Sequence, residues 1–343
     1  MKILNREISY NEEPVFIAEL GINHNGCLKT AFEIVDAAKA CGVEIIKHQT
    51  HIVEDEMSPL AKKVIPGNSN KSIYKIMSEC ALNEQDERDL MNYILSLGMT
   101  FISTPFSRAA ADRLEKFNVP AYKIGSGECN NYPLIEHIAN FGKPIILSTG
   151  MNTIQSVRPA VEILEKYGIN YALLHTTNLY PTPYHLVRLN SLLQLKTEFP
   201  NAVIGLSDHT DNNFSCFGAI ALGASIIEKH FIDSRSRSGP DVICSATPED
   251  VRELLRGIKV LYQERGGNKN SLLFEEKVTS DFAYATVVTI QDINKNDILS
   301  LDNIWVKRPG TGKILAKDFK NLLGKKVIKD IKKDIHLTWE DII

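Results

Sequence analysis

A closed (β/α)8 barrel followed by a small β-rich domain is the fold that the sequence predicts. Three observations lead there: eight short β-prone runs, amphipathic helical segments between most of them, and a change of pattern near residue 266. Strands that alternate with helices need right-handed crossovers and form a parallel sheet. Eight such units in about 250 residues are enough to close that sheet into a barrel.

The first strand is expected at residues 15–19, an unbroken β-rich run. Residues 28–40 follow with Ala31, Ile34, Val35 and Ala38 at helical spacing. Further strands are expected at 44–48, 100–104, 121–124, 144–148, 171–175, 202–207 and 226–230. Helical patterns separate most of them, at 83–97, 107–117, 134–141, 154–167, 191–199 and 214–222, and 248–265 would be the last barrel helix. The cluster Arg265-Gly266-Gly267-Asn268-Lys269-Asn270 then reads as a linker. Beyond it, short β-rich pieces at 283–290, 304–306 and 326–329 belong to a second domain too small for another barrel unit.

The chain has 343 residues, with 39 Lys and Arg against 42 Asp and Glu and a formal charge of -3. A hydrophobic share of 43% beside 24% charged residues is that of a packed globular protein. No stretch approaches the roughly 20 apolar residues of a spanning helix, and the first residues lead into no apolar leader, so a cytoplasmic protein is expected. The cysteines Cys27, Cys41, Cys80, Cys129, Cys216 and Cys244 form no C-x-x-C pair, which predicts reduced thiols and neither a disulfide framework nor a zinc ribbon. Charge is uneven: from Lys307 to Ile343 ten basic residues face five acidic ones. These lysines stand among Ile, Leu and Val without interleaved aromatics, so nucleic acid is not the expected partner. A solvated face, or a lid over an acidic or phosphorylated small molecule, suits them better.

In such a barrel, catalytic groups sit at the C-terminal ends of strands. All eight ends are polar here. The first carries Glu19 and His24, the second Lys47-His48-Gln49, the third Ser103-Thr104, the fourth Lys123-Ile124-Gly125-Ser126-Gly127-Glu128. The remaining four carry Ser148, His175 to Tyr180, Ser207-Asp208-His209 and Glu228-Lys229-His230. Lys47 and Lys123 suggest anion capture, and the glycines after Lys123 let backbone N–H groups approach a phosphate. Ser148, Asn178 and Ser207 are candidate donors, with turn or cap roles as the plainer alternative.

His209 and His230 end neighbouring strands and together could hold one divalent metal, leaving positions open for water and substrate. His24 is a possible third ligand, although a hydrogen-bonding role fits its Gly-Asn loop equally well. Glu19, Glu128 and Asp241 are candidate acid, base or hydroxyl-binding carboxylates; ion pairing with the lysines is the alternative. Two other motifs fail. Gly310-Thr311-Gly312-Lys313 lacks the first glycine and the final Ser or Thr of a P-loop, and Gly125-Ser126-Gly127 lacks the third glycine of a dinucleotide fingerprint.

Together, Gly21-Ile-Asn-His-Asn-Gly26, Lys47-His-Gln-Thr50, Phe101-Ile-Ser-Thr-Pro-Phe106, Lys123-Ile-Gly-Ser-Gly-Glu128, Leu147-Ser-Thr-Gly150 and Gly205-Leu-Ser-Asp-His-Thr210 resemble the bacterial N-acetylneuraminate (sialic acid) synthases. So do Ile227-Glu-Lys-His230, Gly239-Pro-Asp241 and Lys307-Arg-Pro-Gly310. The resemblance runs essentially end to end and is specific for the wider nonulosonate synthase family. It implies a (β/α)8 TIM barrel over 1–265, a linker over 266–282 and an antifreeze-like (SAF) domain over 283–343. It also implies a domain-swapped homodimer, in which Arg308 reaches the sugar bound to the other chain.

The implied reaction condenses phosphoenolpyruvate with open-chain N-acetylmannosamine, forming N-acetylneuraminate and phosphate. By the same resemblance Lys47, Lys123, Ser126, Ser148, Asn178 and Ser207 would hold phosphoenolpyruvate, and Gln49, Tyr180, Asp241 and Arg308 the sugar. Mn²⁺ or Mg²⁺ would rest on His209 and His230, with Glu19 and Glu128 managing protons. Legionaminate and pseudaminate synthases share this machinery, and Tyr180-Pro-Thr-Pro-Tyr184 and Cys129-Asn-Asn-Tyr132 look most like the sialic acid branch. Two other classes stand as alternatives. A Schiff-base aldolase using Lys47 or Lys123 leaves the histidine pair unexplained. A non-catalytic sugar- or ice-binding protein is at odds with a basic tail.

Overall fold

The structure, a computed structural model, describes residues 1–66 and 70–343. It divides into two compact units, Met1–Gly266 and Gly267–Ile343. The first is the expected barrel. An antiparallel hairpin of β1 (Lys2–Ile3) and β2 (Arg6–Glu7) precedes eight parallel strands. These are β3 (Val15–Gly21), β4 (Ile45–Thr50), β5 (Thr100–Pro105), β6 (Tyr122–Ile124), β7 (Ile145–Ser148), β8 (Tyr171–Thr176), β9 (Val203–Asp208) and β10 (Ile226–His230). β10 pairs with both β9 and β3 and so closes the sheet.

Side chains alternate across each strand, and the two faces have different tasks. Outward residues such as Phe16, Ala18, Ile46, Phe101, Leu147, Leu173 and Ile227 pack beneath the surrounding helices in one large core. Inward, Val15, Ile17, Ile45, Ile102, Ala121, Ile146, Ala172, Leu174 and Ile226 fill the barrel's lower interior. Ile3 and Ile8 of the hairpin join that cluster and seal its N-terminal end. The hairpin escapes a periodicity reading because each of its strands has only two residues.

Helices begin where side-chain oxygens cap orphan N–H groups: Asn83 before Glu84–Ser96, Ser107 before Arg108–Lys116, Thr153 before Ile154–Lys166 and Thr247 before Pro248–Glu264. One excursion was not expected. Between β4 and Glu84–Ser96 the chain forms the short helices Val53–Glu56 and Ile73–Cys80 and the 3₁₀ segment Pro59–Lys63. Ile76 and Cys80 pack there with Ile22 in a small cluster of their own.

In the C-terminal unit β11 (Thr286–Thr289) and β12 (Ile304–Lys307) pair antiparallel. The expected strand at 326–329 is corrected to isolated bridges, Ile298 with Lys326 and Val327 with Ile342. Alternation survives there, with Val327 buried among Val287, Ile293, Leu299, Ile304, Ile314, Leu322, Ile331 and Leu337, but the ladder is not continuous. Within the expected linker, residues 266–282, the structure has a 3₁₀ turn at Phe274–Glu276 and the start of the helix Lys277–Ala283. No helix among the described residues is long and apolar enough to cross a membrane.

Candidate functional site

Above the apolar interior, the next inward layer of the barrel is polar on every strand. It consists of Glu19, Lys47, Thr104, Lys123, Ser148, Thr176, Ser207 and Glu228, and all of them line one cleft of about 160 Å³. Two cations and two carboxylates are interlocked. Lys47 Nζ lies 3.0 Å from Glu19 Oε2 and 3.1 Å from Glu228 Oε1. Lys123 Nζ is 3.9 Å from the same Glu228 oxygen and donates to Ser148 Oγ at 2.7 Å. Ser207 donates to Glu228 at 3.1 Å, and Gln49 Nε2 to Glu19 at 2.7 Å.

Burial sets the electrostatics. It pushes the Lys123 ammonium down to about 8 despite the pull of Glu228. Burial alone would raise Glu228, but Lys123 and Lys47 outweigh it and hold the carboxylate low. Glu19 goes the other way, raised by burial and by Glu228 more than Lys47 can offset. The layer is therefore a compensated cradle with one carboxyl ready to take a proton when an anion enters.

Around the cradle, Gly150 N donates to Ser126 Oγ at 3.0 Å. A Cβ at Gly150 would lie 1.8 Å from Asn178 Oδ1, so only glycine lets the β7, β8 and 126–128 loops converge. Several buried polar atoms of the cleft have no hydrogen-bond partner: Thr104 Oγ1, Glu128 Oε2, Asn178 Oδ1, Glu228 Oε2 and His230 Nδ1. Buried orphans of this density point to a polar ligand.

His209 and His230 face each other across the rim, ring centroids 5.5 Å apart, with Tyr180 against both. Burial pushes each imidazole down to about 4, so both are neutral at pH 7. His209 Nδ1 is committed to the Thr177 carbonyl at 2.9 Å, which leaves its Nε2 lone pair free. Gly21, with φ +54, brings bare backbone beside the His230 ring, where a Cβ would stand 3.2 Å away. Two neutral imidazoles with unspent nitrogens suit a divalent ion, although no group of three or more His, Cys, Asp or Glu is gathered for a metal among the described residues. Open coordination positions would fall to water and substrate.

His24 is corrected as a candidate ligand. Its Nδ1 accepts from Gly26 N at 3.1 Å and its Nε2 meets His48 Nε2 at 3.3 Å, outside the barrel wall. The even position in the strand explains it: His48 also faces outward, onto Glu87 at 3.2 Å, while its neighbours Lys47 and Gln49 face in.

The remaining expected residues fall in three places. Glu19, Lys47, Gln49, Lys123, Ser126, Glu128, Ser148, Asn178, Tyr180, Ser207, His209 and His230 all line the cleft. Asp241 lines an adjoining cavity, its Oδ2 3.7 Å from His230 Nδ1. Arg308 is exposed in the C-terminal unit, just after β12. Glu228 was missed, although counting inward from His230 in steps of two selects it. Thr104, Phe106 and Thr176 also line the cleft, and the pair Glu56 and His51 props Gln49: His51 bonds Glu56 at 2.8 Å and Gln49 Oε1 at 3.2 Å.

Burial, helped by Glu56, pushes the Glu128 carboxyl up to about 7. A carboxyl raised in the fold is harder to ionise there than in the unfolded chain, so it costs stability once the pH exceeds the ordinary carboxylate range, fully so above 7. Glu128→Gln is therefore expected to raise the melting temperature relative to the parent, by a margin that is small at pH 5 and grows to pH 8. Thermal unfolding across that range checks it; a margin independent of pH would contradict the assignment.

Comparison with known proteins bears on this arrangement. Residues 34–270 match the NeuB family, and residues 284–343 match the SAF domain. An uncharacterized protein of Methanocaldococcus jannaschii is 37% identical, covering 100% of this chain and 98% of its own. The N,N'-diacetyllegionaminic acid synthase of Campylobacter jejuni is 32% identical over 94% of this chain and 98% of that protein. Among solved structures, the N-acetylneuraminic acid (sialic acid) synthetase of Leptospira borgpetersenii superposes with a TM-score of 0.75 at 27% identity, covering 81% of this chain and 94% of that one.

Proposed function

We propose that this chain, which belongs to the NeuB family, is a nonulosonate synthase that joins phosphoenolpyruvate to the open-chain aldehyde of an N-acetylated amino sugar and releases phosphate. The observation that carries the reading is the compensated layer of Lys47, Lys123, Glu19 and Glu228 beneath two neutral imidazoles. Lys47 and Lys123, with Ser126, Ser148, Asn178 and Ser207, hold the phosphate and carboxylate and so fix the enol carbon C3 against the aldehyde carbon. The π pair of C3 forms the new C–C bond, and the aldehyde oxygen takes the carbonyl pair and a proton. Glu128, protonated below about 7, can supply that proton. Water then adds to the cationic C2, its proton passing to Glu19. Finally the C2–O bond to phosphate breaks, phosphate leaves with the electron pair and takes the proton of the C2 hydroxyl, and C2 becomes a carbonyl.

Mn²⁺ or Mg²⁺, held by His209 and His230, would supply Lewis acidity toward the aldehyde oxygen. A Schiff-base aldolase fits the cleft poorly, because both lysines are engaged by carboxylates or a serine hydroxyl.

N-acetylmannosamine is the acceptor that the rim motifs favour. A 2,4-diacetamido-2,4,6-trideoxyhexose is a second reading, favoured by the identity to the Campylobacter relative. Phosphate release from phosphoenolpyruvate, assayed with each sugar, with EDTA and after Mn²⁺ is returned, tests the proposal. Release that needs a sugar and returns with metal is expected; release with no sugar, or full turnover after exhaustive chelation, would oppose it.

The domain-swapped homodimer, with Arg308 serving the partner's barrel, belongs to the same reading. Mixing Arg308→Ala with His209→Ala chains and allowing exchange is expected to restore about a quarter of parental turnover, since half the dimers then hold one complete site. No recovery would contradict the swap.

A further inference from the structure

His209 and His230 both stand just past the end of the β9–β10 ladder. Its last rungs pair Leu206 with Ile227, Ser207 with Glu228 and Asp208 with Lys229, and it ends there, one residue short of each imidazole. Strand alternation turns this final rung away from the cleft, toward the helix Phe214–Ala221, where Cys216 Sγ lies 3.6 Å from Asp208 Oδ2. Leu206 and Ile227, the outward rung below it, are apolar and belong to the large core. Asp208 and Lys229 instead form an ion pair at 2.5 Å, each side chain 2% exposed. Such a pair adds little net stability, because desolvating two charges offsets most of their attraction. Its other bonds show a different task. Asp208 Oδ1 accepts from Thr210 N at 3.1 Å, Asp208 Oδ2 accepts from Thr210 Oγ1 at 2.8 Å, and Lys229 Nζ donates to the Thr210 carbonyl. Buried Thr210 is thus held by its N–H, its hydroxyl and its carbonyl at once. His209 lies between Asp208 and Thr210, and Lys229 directly precedes His230.

We propose that Asp208 and Lys229 are positioning residues, whose ion pair clamps the turn at Thr210 and thereby sets the two imidazoles at the spacing that one divalent cation needs. The inference rests on the metal-assisted synthase reading above. The Nδ1 bond to Thr177 O turns the His209 ring, but its backbone is placed by the clamp. Without the pair, the chain after His209 loses three bonds together, and the imidazoles lie beyond the rungs that would keep them in register. Supports of this kind behind metal ligands are worth roughly 10- to 100-fold in metal affinity. Phosphoenolpyruvate is expected to be indifferent to the clamp, because Ser207 and Glu228 pair one rung earlier, inside the ladder.

The test follows Mn²⁺ binding by electron paramagnetic resonance, phosphoenolpyruvate binding by calorimetry and the melting temperature, all on the full chain. Asp208→Asn keeps the shape but removes the charge that holds Lys229; Mn²⁺ affinity is expected to fall about 10- to 100-fold while phosphoenolpyruvate affinity stays parental. The double variant Asp208→Leu with Lys229→Met leaves no buried charge unpaired. Its melting temperature is expected to match or exceed the parent's, with Mn²⁺ affinity still reduced, because Thr210 has lost its clamp. Parental Mn²⁺ affinity in either variant overturns the inference and leaves the synthase reading standing. A double variant that does not fold, or an equal loss of phosphoenolpyruvate affinity, also overturns it by making the pair a general support of the barrel. A parent that binds no Mn²⁺ fails the metal reading itself and the inference with it.

Discussion

Glu228→Gln is expected to lower stability at pH 7 by about 3 kcal/mol and to abolish turnover, because removing one partner of a buried ion pair leaves the other charge uncompensated. Glu228 is the hub of the cradle, within 3.1 Å of Lys47, 3.9 Å of Lys123 and 3.1 Å of Ser207. Glutamine keeps its shape, so packing is not the cause. Lys47 retains Glu19, whereas Lys123 loses its strongest compensating charge. Burial already holds Lys123 near 8, so a lysine depressed in the fold discharges as the pH rises and its cost disappears. The deficit should therefore be largest at pH 7 and smaller at pH 9. Urea denaturation at both values checks this; equal stability of parent and variant at pH 7 would contradict it.

His209→Ala is expected to reduce turnover roughly a hundred- to thousandfold, the usual cost of removing one group that stabilises developing charge. His209 Nδ1 holds Thr177 O, its ring lies 4.2 Å from Tyr180, and the cradle below does not use it. Phosphoenolpyruvate binding should survive the change, while Mn²⁺ binding measured by electron paramagnetic resonance should be lost. Since burial keeps both imidazoles neutral down to about 4, Mn²⁺ affinity in the parent should stay level between pH 8 and 6. Full Mn²⁺ stoichiometry in the variant would remove His209 from the metal's ligands.

The eight barrel strands were legible because each combines a β-rich run with a helix of clear 3.6 period after it, and their observed ends shift by only a residue or two. Pieces without that support were not legible. The β1 and β2 hairpin is too short for any period, and Lys326-Val327 alternates like a strand but closes only isolated bridges. In the site, most residues follow from their place at strand ends. Orientation does not follow from place alone. His48 and His24 occur in motifs as polar as their neighbours, yet strand alternation turns His48 outward and backbone bonding consumes His24. Glu228 shows the converse: it was passed over as the neighbour of His230, though the same alternation points both into the barrel. The helix Ile73–Cys80 was not legible because its apolar residues divide between a small core and the lining of a cavity.

The most direct measurement is calorimetric titration of phosphoenolpyruvate, without any sugar, into the parent and into Lys123→Met at pH 7. One site per chain in the parent, weakened at least a hundredfold in the variant, is the predicted result, since Lys123 is a fully buried cation that lines the cleft between Ser148 and Glu228. Equal affinity in the two proteins, or none in the parent, would mean that the barrel's polar layer does not grip the enol phosphate.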